Sequence, residues 1–217
     1  GIVSHGPLEF VGEEGSPVVL EGLPAEGEAG RWPGVAVLAA GAPSRFSHVI
    51  IRNTSGIAQA GWELTGGVTF FRSDVEIEDS RFEGNSAEDA INVFGSRFAF
   101  RRMVIVDTKS DALDSDFSEG TMDDVLFEKI GQAGGGDAVD LSGSTVTLRG
   151  GRFVDIQDKA LSVGEKSTMT ASAVRIDGAG TGAASKDGSR LELFDSTVSR
   201  VRFTGPAAYI KKPEYGS

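Results

Sequence analysis

One segment of this chain is written five times. Ser110 to Ser118 reads S-D-A-L-D-S-D-F-S and carries three aspartates, Asp111, Asp114 and Asp116, within six positions. A turn later the chain repeats it as G-D-A-V-D-L-S-G-S from Gly136 to Ser144, and a turn earlier as E-D-A-I-N-V-F-G-S from Glu88 to Ser96. D-K-A-L-S-V-G-E-K-S, Asp158 to Ser167, and G-A-A-S-K-D-G-S, Gly182 to Ser189, follow. A unit repeated at this period cannot bury its own apolar side chains, and must stack on its neighbours to do so.

The apolar positions obey the same rhythm. Ile77, Phe100, Met122, Leu148, Ala171 and Leu193 form one column with spacings of 22 to 26 residues. Ile91, Leu113, Val139, Leu161 and Ala183 form a second. Within each unit the apolar residues alternate with polar ones, which argues short strands and excludes helical repeats. Leucine-rich repeats need a Leu-x-x-Leu-x-Leu consensus that is missing, and a β-sandwich would not repeat one motif in register. The expected fold is all-β: a right-handed parallel β-helix of eight or nine turns, roughly 23 residues each, a single-stranded solenoid of short strands. It is read as one domain, 1–217, within a longer chain. The rhythm breaks once: Ile51 and Phe82 hold equivalent slots but lie 31 residues apart. The excess, Ala58 to Gly67 with Trp62, is expected to protrude, and Gly131 to Gly136 to form a smaller insertion.

Composition narrows the partners. The net charge is −11 with a pI near 4.7, which repels nucleic-acid phosphates and disfavours an anionic polysaccharide unless a cation bridges the two. No apolar run is long enough to enter a membrane as a span. The absence of cysteine removes disulfides and thiolate metal sites.

At the repeated segments, and at A-A-S-K-D-G-S and Y-I-K-K-P-E-Y-G, the chain resembles a bacterial family of right-handed β-helix repeat proteins of envelope and secreted proteins, sometimes found beside CotH-type kinase-like domains. The resemblance implies an extracellular or cell-envelope location and neighbouring domains. The wider pectate-lyase-like superfamily contains polysaccharide lyases, hydrolases and tailspikes, but no catalytic residue carries over. The polygalacturonase Gly-His-Gly and the epimerase Asp-Pro-His-Asp are missing, and His5 and His48 lie outside the repeated segments.

With the second column inward, alternation sends Asn92, Asp114, Asp140, Ser162 and Ala184 outward, followed by Phe94, Asp116, Ser142, Gly164 and Lys186. Asp89, Asp111, Asp137, Lys159 and Thr181 open each strand. Asp111, Asp114, Asp116, Asp137 and Asp140 are therefore the candidate metal ligands, and hard oxygen donors without Cys or His select Ca²⁺. Asp114, Asp116, Asp140, Lys159 and Lys186 are the candidate catalytic groups: paired carboxylates for glycoside hydrolysis, or a lysine base for a lyase. The plainer reading gives Asp89, Asp111 and Asp137 a turn-capping role. Asp114, Asp116 and Asp140 fall mid-strand, where aspartate is depleted and capping does not explain it. Trp62 and Phe94 are candidates for stacking on a sugar. Ser96, Ser118, Ser144, Ser167 and Ser189 recur once per turn and read as structural bonds. The functional expectation is a secreted or envelope module that binds carbohydrate through its aspartate-rich face, as a lyase or hydrolase if it is an enzyme. The alternative is a non-catalytic structural or adhesive module.

Overall fold

The alternation of apolar and polar residues produces three short strands per turn, and every turn lays them on the turn before. The structure is a computed structural model that describes residues 1–24, 30–59 and 61–216. Stacking in parallel builds three faces. The first runs from Glu9–Val11 through Ser44–Ser47, Val75–Glu78 and Arg97–Arg101 to Arg190–Phe194. The second runs from Val18–Leu20 through Val49–Arg52, Arg81–Glu83 and Val104–Val106 to the start of Thr197–Tyr209. The third begins at Ile2–Ser4 and passes through Val35–Leu38, Gly66–Phe71, Asp89–Phe94, Asp111–Asp116 and Val139–Ser142. It is completed by the ends of the long strands Thr145–Gly164, Thr168–Lys186 and Thr197–Tyr209. This is a parallel β-solenoid, as the repeat requires.

The register is the one written in the sequence. Ile77, Phe100, Met122, Leu148, Ala171 and Leu193 pair in succession on the first face. Ile91, Leu113, Val139, Leu161 and Ala183 do so on the third. Phe46, Phe70, Phe100, Met122, Phe127 and Phe153 are fully buried in the resulting core. Volume is balanced between turns. Gly120 stands in an inward slot of the first face because the Phe98 ring of the preceding turn fills its space: a Cβ on Gly120 would fall 2.1 Å from that ring.

Most corners are built from one residue in the left-handed conformation, with two in succession at Glu165–Lys166 and Asp187–Gly188. Between the third and first faces these are Ala39, Arg72, Gly95, Phe117, Gly143, Glu165 and Asp187; between first and second, His48, Asp79, Arg102, Asp124, Gly150, Ala173 and Asp195. Asn53, Gly84, Asp107, Lys129, Asp155, Gly178 and Arg200 turn the third corner. A positive φ reverses the chain in one residue, and Gly, Asn and Asp accept it with least strain. The recurring serines follow the first of these corners. Ser73, Ser96, Ser118 and Ser144 each donate a backbone N–H to the hydroxyl of the equivalent serine one turn on, at 2.8, 3.1, 3.0 and 3.0 Å, and Ser167 does the same to Ser189 at 3.1 Å. The ladder satisfies buried N–H groups that the bend removes from strand pairing.

The long spacing before Phe82 is a protruding antiparallel hairpin, Ile57–Gln59 against Trp62–Leu64. It is shorter than the expected Ala58–Gly67, because Gly66 and Gly67 already belong to a strand of the third face. Gly67 is held there by contact: a Cβ would lie 2.2 Å from Thr54 Oγ1 and 2.6 Å from Asn85 Oδ1. Among the described residues no helix is long and apolar enough to cross a membrane.

Candidate functional site

The outer side of the third face is where the repeated segments differ from one another. Leu113, Val139, Leu141, Leu161 and Val163 point into the core and are fully buried. Ser115, in the same inward set, is also fully buried, and its hydroxyl lies 3.3 Å from that of Ser144. Alternation then carries Asn92, Asp114, Asp140 and Ser162 outward in one register, with Phe94, Asp116, Ser142 and Gly164 beside them.

The aspartates divide by what they bond. Asp111 Oδ1 accepts the Asp137 N–H at 2.7 Å, and Asp137 Oδ1 accepts the Lys159 N–H at 2.8 Å. These two are the strand-opening caps of the plainer reading. Lys159 Nζ sits 3.3 Å from Asp137 Oδ1 and 2.5 Å from Asp158 Oδ2. Burial works to lower its proton affinity, but Asp137 and Asp158 outweigh burial and hold the ammonium well above the usual lysine range. A lysine held in that state has no lone pair to act as a base. Lys186 is 5% exposed. Its Nζ lies 2.7 Å from Ser162 Oγ and 3.5 Å from Asp140 Oδ1, so Lys186 serves as the counter-charge of Asp140. It crosses Gly164, where a Cβ would approach its Cε to 3.1 Å.

Among the described residues no lysine forms an ion pair with Asp114 or Asp116, and Lys212 acts on Asp116 only through its charge. Asn92 Nδ2 donates to Asp114 Oδ2 at 3.0 Å and points at Asp89 Oδ2 at 3.5 Å. Burial, reinforced by Asp89, Asp116, Asp140 and Asp111, pushes the Asp114 carboxyl up to about 9. Burial likewise raises Asp89 to about 7, against the Thr65 hydroxyl bond that lowers it, and Asp111 to about 6. Asp116 is raised by burial and by Glu165. Burial and the neighbouring carboxylates favour the protonated forms on this face.

The expected Ca²⁺ site does not form as a convergent set. Among the described residues no three acidic or histidine side chains gather closely enough to hold a metal ion. The physical reason lies in the pairings above: Asp111 and Asp137 are bound to backbone N–H groups and Asp140 to a lysine, so the five carboxylates share a face without sharing a centre.

Beside the carboxyls runs an aromatic ladder, of which only Phe94 stands out in the sequence. Phe71 stacks on Phe94 with centroids 5.0 Å apart and rings inclined by 17°, and Phe117 meets Phe94 edge-on at 5.6 Å. Phe71 is 37% exposed and Phe117 62%. Phe117 occupies a corner with φ +49°, and its ring lies over Gly143, whose added Cβ would fall 2.7 Å away. The signal that was available is that S-D-A-L-D-S-D-F-S puts Phe where two other turns put Gly95 and Gly143. Trp62, on the hairpin, is partly exposed. His48 turns a different corner, its Nδ1 3.1 Å from Ser47 Oγ. The larger recesses lie elsewhere, one of about 570 Å³ bounded by Glu13, Glu14, His48 and Arg102.

No protein-family model matches the chain, and no curated protein matches it. Among solved structures it is similar to the enzymatically active domain of bacteriophage CBA120 tailspike protein 2, with 13% identity and a TM-score of 0.53 over 96% of this chain and 38% of that one. It also aligns with the catalytic domain of a GH87 α-1,3-glucanase in complex with nigerose, at 12% identity and a TM-score of 0.41, over 94% of this chain and 52% of that one. The chain thus spans about two fifths to one half of these structures. At such identities the likeness to the tailspike domain is one of fold.

Proposed function

We propose that the chain binds a glycan along the outer side of its third face, sugar rings lying on Phe71, Phe94 and Phe117 and hydroxyls bonding to Asn92, Asp114 and Asp116. The observation that carries this reading is the aromatic ladder, exposed at Phe71 and Phe117, with 5.0 and 5.6 Å between successive rings and carboxyls on the same strands. An aromatic face packs against the apolar side of a sugar, while carboxyl oxygens take its hydroxyls. The surrounding carboxyls favour a neutral or amine-bearing glycan over a uronate. This role belongs outside the cell or at its envelope.

Hydrolysis is the second reading, favoured by one group. Asp114, raised to about 9, holds its proton at neutral pH and has the state a general acid needs. Asp116 lies two residues along the same strand, so its carboxyl emerges on the same side as that of Asp114. A panel of soluble glycans run in affinity electrophoresis, with reducing-end release measured alongside, tests both. Retardation by a neutral or amino glycan that Phe117→Ala relieves supports binding, and release that Asp114→Asn abolishes supports hydrolysis. No retardation by any glycan returns the chain to the class of structural modules.

A further inference from the structure

We propose that a recess at the edge between the first and second faces holds the sulfate or phosphate ester of a sugar. An outward column of the second face runs through Arg81, Val104, Leu126, Arg152, Arg175 and Thr197, one residue per turn. Arg81 is held by Glu83, its Nε 2.5 Å from Oε2. Arg152 and Arg175 are exposed register partners in the middle of the coil, and among the described residues neither makes an ion pair. Paired strands lie roughly 4.8 Å apart, and like charges placed opposite each other there repel. Of the neighbouring acids, Asp177 accepts Arg200 Nε at 2.5 Å and feels Arg175 only through its charge. Neither Asp124 nor Glu128 pairs with either arginine. The pair lacks a counter-charge within the fold, and an anion supplies one.

The same two arginines border a recess of about 330 Å³, within the roughly 300–1,000 Å³ of small-ligand sites. One turn makes it hollow. Gly150 and Gly151 stand in register with Asp124 and Val125 of the turn before and with Ala173 and Val174 of the turn after. Gly151 is dictated by packing, since a Cβ there would lie 2.9 Å from the Phe153 ring. Val125 and the half-buried Leu126 give the recess apolar surface. Asp124 is its one carboxylate, with Oδ1 over Gly150.

These groups set the chemistry of the ligand. Two guanidiniums offer more donors than one carboxylate can accept, while a sulfate or phosphate group presents three or more oxygens. Apolar side chains take the C–H face of a sugar ring, and Asp124 accepts one of its hydroxyls. Asp124 also repels a second anionic group, so a sugar esterified once fits better than a polyanion. Nucleic acid, charged along its length, meets the acidic remainder of a chain of net charge −11. In a three-sided coil the edge between the first and second faces lies opposite the third face, so this recess is separate from the carboxyls and aromatic ladder there.

Isothermal titration calorimetry of the whole chain tests this, with glucose 6-phosphate, N-acetylglucosamine 6-sulfate, sodium sulfate and sodium phosphate as probes. One of the sugar esters should bind at least tenfold more tightly than either inorganic anion. Arg152→Gln and Arg175→Gln should each weaken that binding at least tenfold, as the loss of a charge-assisted hydrogen bond does. Arg97→Gln removes the same charge from an exposed site on the first face, and Phe117→Ala alters the third face; both should leave the affinity unchanged. The two recess variants should melt at or above the wild type, because each removes a repulsion. A lower melting temperature in both would show that the arginines are already satisfied within the fold and would overturn the proposal. Absence of binding by both sugar esters overturns it too, as does equal affinity for the inorganic anions, which would mark an oxyanion site without a sugar. Affinity that Phe117→Ala abolishes and Arg152→Gln preserves would place the ligand on the third face instead.

Discussion

The ring of Phe117 occupies the space that a side chain at Gly143 would fill, a Cβ there lying 2.7 Å from it. Two consecutive corners of one column thus divide the work: one keeps the glycine that a φ of +61° favours, and the other gives it up to present an aromatic at φ +49°.

Replacing Phe117 separates function from stability. Phe117→Gly relieves the left-handed strain, about 1–2 kcal/mol, and returns about 0.5–1 kcal/mol of it as glycine's conformational entropy. The variant should melt within a few degrees of wild type while its glycan retention falls at least tenfold. Equal retention by the two proteins removes the ladder from the binding surface.

The Asp114 carboxyl has a measurable pH signature. Its folded pKa of about 9 lies far above the ordinary 3.8, so between those values the folded chain binds more protons than the unfolded one and stability falls as pH rises. The contribution is undiminished below about pH 4 and fully lost above about pH 9. An isolated group displaced so far would cost about 7 kcal/mol at 1.4 kcal/mol per tenfold change in proton affinity. Relaxation of Asp89, Asp111 and Asp140 around it makes the observed cost smaller than this. Asp114→Asn should therefore melt higher than wild type at pH 8 and lose much of the drop between pH 5 and pH 8. A variant less stable than wild type at pH 8 would show that the carboxylate is satisfied there.

The turns were legible because burial writes the same residue class into one slot of every turn, as with Phe100, Met122 and Leu148. Registers on the outer face followed from alternation alone, so the placement of Asp114, Asp116 and Asp140 was also legible. Their partners were not. Whether Asp140 meets a cation or Lys186 depends on the path of a side chain two turns away across Gly164, and spacing carries no trace of it. The aromatic ladder was hidden for a different reason. Phe71 and Phe94 end their strands, whereas Phe117 is a corner residue, and the left-handed corner that brings its ring against Phe94 is filled by Arg, Gly, Phe, Gly, Glu and Asp in successive turns. No residue class marks it.

The serine ladder should be unequal in its parts. Ser144 accepts the Ser118 N–H at 3.0 Å and lies 3.3 Å from the buried Ser115 hydroxyl. Ser144→Ala strands both groups and should cost roughly 2–4 kcal/mol, at about 1–3 kcal/mol for each buried unsatisfied group. Ser142→Ala, on the outer side, should stay within about 0.5 kcal/mol. Urea titrations of the two variants decide it, and equal midpoints would mean that water replaces the hydroxyl.

The exchange of volume between Phe98 and Gly120 gives the strictest test of register. They are paired neighbours in the inward column of the first face, and a Cβ at Gly120 would reach 2.1 Å from the Phe98 ring. Gly120→Val overfills that slot and should cost about 3 kcal/mol, at the upper end of overpacking. Phe98→Val empties it and should cost about 2–4 kcal/mol as a cavity. If the two side chains share one space, the double variant puts a valine on each turn and restores the column, so its loss should be at least 2 kcal/mol smaller than the sum of the single losses. Chemical denaturation of the four proteins supplies the cycle. Additive losses would mean that Phe98 and Gly120 do not face one another, and the stacking order of the first face would then be wrong by at least one residue.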